Sequence, residues 1–578
     1  MFFLIEFCLC SIAVALALLS PGLGARGFNK AELMLSRLAR RRGLSVLVVG
    51  LGALALRAAL LPVEPIPQPG IHDEFSYLLM ADTFTHWRLA NPAHPMWVHF
   101  ETFHVLQNPT YVSMFYPAQG LFLAAGQAIA GHPFWGVWLS AGLMSAAICW
   151  MLQGWLPPIW ALLGGLLAAI RLGSFSYWAN SYWGGALAAT GGALVLGALP
   201  RIKRKERLHD AVLMGVGFAI LANSRPFEGL FFSIPIGTAL LAWILGTARP
   251  FRRGRMARII LPLAVVLALT SGAMLYYFWR TTGSPFVTPY MLNVKAYNPV
   301  PYFPWQSLKS VPIYHHAEMQ NFYMGWWLQQ YETARAHPVL LLLFKVVGFW
   351  LYFLGPVLAL PLLVLGVILP YGMSYRDIPR NTRFLLITCC ISGFGLSLPV
   401  YLNPHYAAPL TAAVYALILQ ATQRVRRWRL RGERTGLAIV RAVPSTCVAL
   451  LLLRTGAPLL HIPLPEPMPR TWCSPEQQLL GRARVLDQMR GLPGRQLAIV
   501  RYGSDHDLVN HEWVYNDADI DNSSVVWARD MGTQNEELIA YFKDRHAWLI
   551  EPDETPARVS VYSAQPNGGP SPSKQGEP

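Results

Sequence analysis

The chain has 578 residues, 53% of them hydrophobic and only 13% charged, a balance that excludes an ordinary soluble enzyme and indicates a polytopic membrane protein. Its formal charge of +16 is concentrated in basic clusters at 37–42, 201–207, 249–258, 376–383 and 424–434, each between apolar runs. Nucleic acid is therefore excluded as a partner, because it would need a basic surface away from membrane ends, and the positive-inside rule assigns these five segments to the cytoplasm.

Residues 1–43 read as an N-terminal membrane helix starting outside, followed by a basic cytoplasmic linker. The apolar run 44–61 leads outward from Arg40-Arg41-Arg42 and is stopped by Pro62, Pro65, Pro67 and Pro69. Its one charge, Arg57, is placed to snorkel. Residues 63–133 then form an outer segment. In it His72-Asp73-Glu74-Phe75-Ser76-Tyr77 opens a helix whose apolar face carries Leu78, Leu79, Met80 and Phe84. Adjacent carboxylates this close to a bilayer are costly unless solvated, paired or used. The plainer reading makes Asp73 the N-cap of a helix beginning at Glu74. Trp87, Trp97, Tyr111, Phe115 and Tyr116 suit an interfacial segment. The run 120–130 is too short to cross and is expected to lie in the outer interface. In His99-Phe100-Glu101-Thr102-Phe103-His104, strand alternation sets His99 and Glu101 on one face and His104 on the other, so no metal site is expected there.

Spans follow near 134–152, 157–172 and 183–199, with an aromatic outer turn at 174–183. The next pair, near 210–222 and 229–247, meets outside at 223–228. A span at 259–279 leads to a second outer loop, 280–337, where His315 and His316 are expected to be solvated. The apolar stretch 339–369 is either one kinked span or an interfacial helix running into a span, with Lys345 placed to snorkel. Spans near 384–400 and 406–420 meet outside at Asn403-Pro404-His405-Tyr406, and a last one lies near 436–456. The expected fold is thus an all-α polytopic membrane domain, 44–460, with about 11–12 transmembrane helices.

Beyond a Pro-rich linker at 462–475, helices at 479–489 and 534–544 alternate with strands at 496–501, 524–527 and 547–550. They predict a small extracytoplasmic α/β domain over 461–562, folding independently and carrying no catalytic group, before a disordered tail at 563–578. Asp517, Asp519 and Asp521 lack the Gly and distal Glu of an EF-hand and read as a solvated turn. Of the 7 cysteines only Cys473 lies in a polar region, so no intrachain disulfide is expected.

Asp73-Glu74, Asn180-Ser181, Arg225 and His405-Tyr406 come from four separate loops yet fall at one outer depth. A carboxylate can act as general base toward a hydroxyl. Arg and His can neutralise a phosphate leaving group, Arg bidentately. A lipid-phosphate donor, its tail in the bilayer, would present its phosphate there.

This layout resembles the GT-C superfamily of lipid-phosphate-sugar glycosyltransferases, in particular the protein O-mannosyltransferase and lipid A aminoarabinose transferase branch. Roughly 44–420 carry the resemblance. Its marks are the outward first span, Asp73-Glu74 opening the first outer helix, Tyr116-Pro117 at the start of an interfacial helix, Arg225-Pro226, and His405-Tyr406 at the start of a late span. It implies an inverting transfer from a polyprenyl-phosphate sugar donor to a glycan, lipid or protein acceptor. Asp73 matches the base, with Glu74 orienting it or the acceptor. Arg225 and His405 would hold donor phosphate, and Tyr77, Tyr116, Asn180 and Tyr406 would contact substrate. Relatives often carry a second acid before the fourth core span. This chain has Asn180-Ser181-Tyr182-Trp183-Gly184 there, a departure that leaves metal binding and acceptor identity open, so the resemblance assigns no metal ligand and a divalent metal is left unsupported. Two rivals belong to other classes. A transporter or lipid flippase calls for mid-membrane ionisable residues and repeat symmetry; a non-catalytic membrane scaffold would display the C-terminal domain and use Asp73-Glu74 only as a cap.

Overall fold

The computed structural model describes residues 2–246, 256–369, 377–462, 471–474 and 478–563. Most of the Pro-rich linker, the tail after 563, and parts of the basic segments 249–258 and 376–383 lie outside the described residues. Among the described residues six helices are long and apolar enough to cross a membrane: Arg42–Ala59, Phe134–Trp155, Pro226–Leu245, Ala257–Thr282, Pro338–Ile368 and Thr435–Leu459. Shorter apolar helices Phe3–Leu19, Pro158–Leu172 and Leu208–Ala222 pack with them, as do Ala186–Lys205, Arg380–Ser397 and Thr411–Val425. These rods make up the expected all-α integral membrane protein. In a bilayer such helices satisfy every backbone polar group within the segment.

We number the first helices in chain order: α1 (Phe2–Leu19), α2 (Ala25–Arg40), α3 (Arg42–Ala59), α4 (His72–Thr85), α5 (Pro117–Ala130), α6 (Phe134–Trp155), α7 (Pro158–Leu172), α8 (Ala186–Lys205), α9 (Leu208–Ala222) and α10 (Pro226–Leu245). Helix α6 is the central post, its apolar window 67% buried. Short α5, as expected, is not a span, and it crosses α6 at a small-residue contact. A Cβ on Gly136 would lie 2.0 Å from the Phe122 carbonyl oxygen, so only glycine allows this approach. The start of α1 is fixed at the same end as the start of α4. Glu6 Oε1 lies 3.2 Å from Arg171 Nη1, and Trp472 Nε1 donates to Glu6 Oε2 at 3.1 Å.

The stretch 338–368 is one kinked rod, long and apolar enough to cross a membrane. A π-helical turn at Trp350–Leu354 ends on Gly355, whose φ of +56° and following Pro356 break the helical ladder. Neither intramembrane cation snorkels. Arg57 is fully buried because the Pro-rich chain after α3 folds back over it, and its guanidinium donates to Glu64 O (3.0 Å) and Pro65 O (3.3 Å). Lys345 Nζ donates to Ser397 O (3.1 Å) and to Pro399 O, closing the C-terminal end of the helix Arg380–Ser397.

Around α4 the outer segment forms a small antiparallel sheet, β1 (Asn91–Pro92), β2 (Val105–Leu106) and β3 (Thr110–Ser113), in the order β1-β3-β2. The C-terminal domain has the four-stranded order β5-β4-β6-β7, from β4 (Arg495–Val500), β5 (Val525–Arg529), β6 (Arg545–Glu551) and β7 (Arg558–Val561). β4 pairs in parallel with β5 and β6, while β7, absent from the sequence expectations, is antiparallel to β6.

The domain is not the detached unit expected. Phe75 of α4 stacks on Tyr515 at 4.4 Å, and Phe75, Leu79, Val105 and Tyr111 share one apolar core with Leu497, Ile499, Val526 and Leu538. Asp82 accepts the Ala518 N–H at 2.7 Å, and Tyr111 Oη donates to Asn516 O at 2.9 Å. Deleting 476–578 is therefore expected to lower the unfolding temperature of the remaining protein and to abolish activity. Each aromatic uncovered costs about 1.5–3 kcal/mol. An unchanged melt of the truncated protein in detergent would show that the shared core contributes nothing.

Candidate active site

The site grows from the first turn of α4, and there the two carboxylates have different tasks. Glu74 Oε2 accepts the N–H groups of Gly70 (2.8 Å) and Ile71 (3.2 Å), reaching back over the helix start as the N3 acid of a capping box does. Its Oε1 accepts the Tyr182 N–H at 2.8 Å. Glu74 is thus the cap and the tie to the loop after α7, and its expected catalytic role is not what its contacts support. The helix begins at His72 with Ile71 as N-cap, so Asp73 caps nothing.

Asp73 instead faces two imidazoles. Its Oδ1 lies 3.5 Å from His104 Nδ1 and its Oδ2 lies 3.8 Å from His72 Nε2. The two rings are 4.4 Å apart, with His72 edge-on to Phe322. His104 reaches this position because 97–100 is a 3-10 turn rather than a strand, and because its own backbone sits at φ +61°. That conformation is disfavoured for a side-chain-bearing residue. It is held by the Ser76 hydroxyl and the Met114 N–H, which donate to the His104 carbonyl at 2.7 and 3.0 Å. Burial alone would raise the Asp73 carboxyl, but His104, then His72 and Arg225, outweigh it and hold the group below its usual range. Burial, reinforced by His104, pushes His72 down to about 3. The pair is an ionised acid beside a neutral imidazole.

Ligand atoms of His72, Asp73 and His104 lie within 4.8 Å of one another, and among the described residues they form the one such group. His72 Nδ1 is buried. Neutral imidazole and carboxylate are the ligand forms a divalent ion needs, and two nitrogens with one oxygen match a catalytic zinc set with an open position. These residues fit a metal, which the sequence did not assign. The rest of the 99–104 stretch serves a different contact. Glu101 binds His315 (2.8 Å) and His316 (3.6 Å), so these histidines are paired, not merely solvated as expected.

Arg225 stands at the N-cap of α10, its guanidinium 4.3 Å from the Tyr406 ring centre. The Ala118 N–H donates to Asn223 O at 2.9 Å, tying this turn to Tyr116 at the start of α5. Tyr77 stacks on Phe115 at 4.6 Å and feels the charges of Arg225 and Asp73. Arg225, Asp73, Tyr77 and Tyr406 are thereby brought into one electrostatic neighbourhood, with Tyr116 bordering it through Glu228. Asn180 and His405 are not. Asn180 Nδ2 donates to Ser174 O (2.7 Å) and Ser176 O (2.9 Å), clamping a loop that is fully buried instead of lying at the membrane edge. His405 is fully buried, its Nδ1 2.9 Å from Tyr177 Oη and its ring 4.6 Å from Trp183. Both shape the wall behind the site.

Three groups escaped the sequence expectations. His72 was readable from its place beside Asp73. Glu228 was readable as the residue one turn beyond Arg225. His104 depends on a left-handed backbone that no local pattern announces.

No protein-family model matches the chain, and no curated protein matches it. Among solved structures it is similar to the Archaeoglobus fulgidus oligosaccharyltransferase in complex with zinc and sulfate, at 13% identity and a TM-score of 0.47, over 88% of this chain and 67% of that one. It is also similar to ArnT from Cupriavidus metallidurans bound to undecaprenyl phosphate, at 12% identity and a TM-score of 0.46, over 88% of this chain and 92% of that one. Both are GT-C superfamily members.

Proposed function

We propose that the protein is a glycosyltransferase that moves a sugar from a polyprenyl-phosphate donor to an acceptor hydroxyl at the extracytoplasmic membrane face. The observation that carries this reading is an ionised, buried carboxylate that no backbone group uses, set within the field of an arginine from another loop at the same end of the bundle. Asp73 takes the acceptor hydroxyl proton as the acceptor oxygen bonds to the anomeric carbon. The bond from that carbon to the phosphate oxygen breaks, and the lipid phosphate leaves with its electron pair. Attack from the face opposite the leaving group inverts the centre.

Arg225 meets the departing charge, and the Tyr406 ring holds its guanidinium flat for a bidentate contact. His104 orients Asp73. A divalent ion held by His72, Asp73 and His104 would supply positive charge next to the acceptor hydroxyl and ease the loss of its proton. A lipid tail is accommodated by an apolar groove of about 550 Å³ between the rod 338–368 and the helices 380–397 and 411–425. Leu402 and Leu410, on either side of Tyr406 in the chain, line it.

The test is a transfer assay with a polyprenyl-phosphate sugar. Arg225→Gln is expected to lower kcat/KM by about 10²–10³-fold, the usual loss when one transition-state charge contact is removed. Arg225→Lys should recover only part, since it keeps charge but not the planar fork. Near-wild-type kcat/KM for Arg225→Gln would remove the phosphate role.

A further inference from the structure

The end of the bundle opposite Asp73 holds a second charged cavity. Arg42, Arg201, Arg204, Lys205, Arg207 and His209 surround about 370 Å³ of space, and among the lining residues the sole acid is Asp210, itself buried and 3.5 Å from His209 Nε2. Helix α3 carries Arg42 at one end and Arg57 near the other, so at 1.5 Å per residue about 22 Å separates this cavity from the level of Arg57, toward α4. It is nowhere near the transfer chemistry, and the proposed function leaves it unused.

Part of this charge has a plain structural task. Arg201 donates to Gly197 O and Trp150 O, both at 2.6 Å, and Arg204 donates to Gly154 O, so the two guanidiniums bond backbone carbonyls of α8 itself and of the last turns of α6. That task does not account for the rest. Arg42, Lys205 and Arg207 make no side-chain hydrogen bond or ion pair among the described residues and are exposed. Three further positive charges crowded beside two already committed ones repel each other unless an anion joins them.

The cavity is also preorganised. The Arg201 guanidinium lies 3.9 Å over the Trp150 ring, and Gln153 Nε2 donates to Arg42 O and Ser45 Oγ, both at 2.9 Å, which fixes the start of α3. Each guanidinium has five N–H donors in a rigid fork, so Arg201 and Arg204 retain donors after bonding carbonyls. The fixed forks of Arg201 and Arg204 facing a cavity of this size match the tetrahedral oxygens of a phosphate, and for these two little side-chain entropy remains to be lost on binding.

We infer that this basic cavity between α3, α6 and α8 binds a phosphate group, carried either by an anionic phospholipid of the surrounding leaflet or by free phosphate. Both sources offer the same tetrahedral anion. A leaflet facing the basic end of the protein supplies phospholipid headgroups at this depth.

The full-length protein, purified in neutral detergent, separates the sources. In native mass spectrometry it is expected to retain phosphatidylglycerol at least tenfold more than phosphatidylcholine. Arg42→Gln with Arg207→Gln should cut that retention at least tenfold. Lys30→Gln with Arg429→Gln, which removes the same charge outside the cavity, should not. If phosphatidylglycerol is not retained, yet inorganic phosphate at matched ionic strength raises the unfolding temperature of the wild type and not of the cavity variant, free phosphate is the occupant. The inference is overturned if neither anion binds, if the cavity variant binds as the wild type does, or if the control loses binding equally, which would mean diffuse attraction. Should the double variant not fold, Lys205→Gln is read by the same measurements, with a severalfold loss expected and no loss counting against the site.

Discussion

Asp73→Asn is expected to lower sugar transfer by roughly 10²–10⁴-fold, the contribution of a positioned general base, with almost no change in unfolding temperature. The amide keeps the size of the carboxylate and still meets His104 and His72. What it cannot do is take a proton. The structure also sharpens a second comparison. Because Glu74, not Asp73, reaches back over the helix start, Asp73→Ala removes no cap and should be inactive yet folded as well. A capping Asp73 would give the opposite pattern, a tolerated Asn and an Ala variant weakened by about 1 kcal/mol. Transfer by Asp73→Asn at near-normal rate, measured with a polyprenyl-phosphate sugar, would end the assignment of Asp73 as the base.

Glu74→Gln is expected to show the reverse, a large loss of stability from a change of one atom. Glu74 is 1% exposed and accepts three backbone N–H groups through two oxygens. Glutamine offers one carbonyl oxygen and turns two N–H donors toward whichever donors are left. Hydrogen bonds to a charged group contribute about 1.5–3 kcal/mol each, and a buried donor left unmade costs about 1–3 kcal/mol. A loss of about 3–5 kcal/mol is the expected total. It would appear as a lower unfolding temperature and as protease sensitivity of the outer segment, because the same side chain anchors Tyr182 as well as the start of α4. A Glu74→Gln protein as stable as the wild type would show that its carboxylate is not the cap. Neighbouring residues thus give one variant that is stable and inactive and another that is unstable.

Hydropathy made the long apolar helices legible, because their extent is set by transfer free energy over windows of many residues. The short helix at 117–130 was readable by length alone. Three strands of the C-terminal sheet were readable too, β4 and β5 being buried enough to show as apolar runs. What the sequence did not disclose are contacts between segments far apart. Arg57 and Lys345 looked like snorkelling cations, since nothing local shows that carbonyls of 64–65 and of 397–399 would arrive to receive them. The exchange of roles between Asp73 and Glu74 turns on a helix start two residues earlier than the strongest cap signal suggests. His104 joins the site through one left-handed residue. Asn180 and His405 were chosen for their depth, and depth does not say which way a side chain turns.

The shared core of α4 and the C-terminal domain carries a consequence for how the protein is made. The bonds from Tyr111 to Asn516 and from Ala518 to Asp82 join residues 405 and 436 positions apart. At translation rates of about 5–20 residues per second, the helix bearing Asp73 waits on the order of 20–90 s for the strands that cover it. Every span has left the ribosome by then. A chain stalled or cut short before residue 500 would carry the acid, the arginine and the lipid groove, yet lack the wall that keeps Phe75, and with it the first turn of α4, in place. Under the proposed function, the wall behind the first turn of α4 is thus completed only when the last strands have been made.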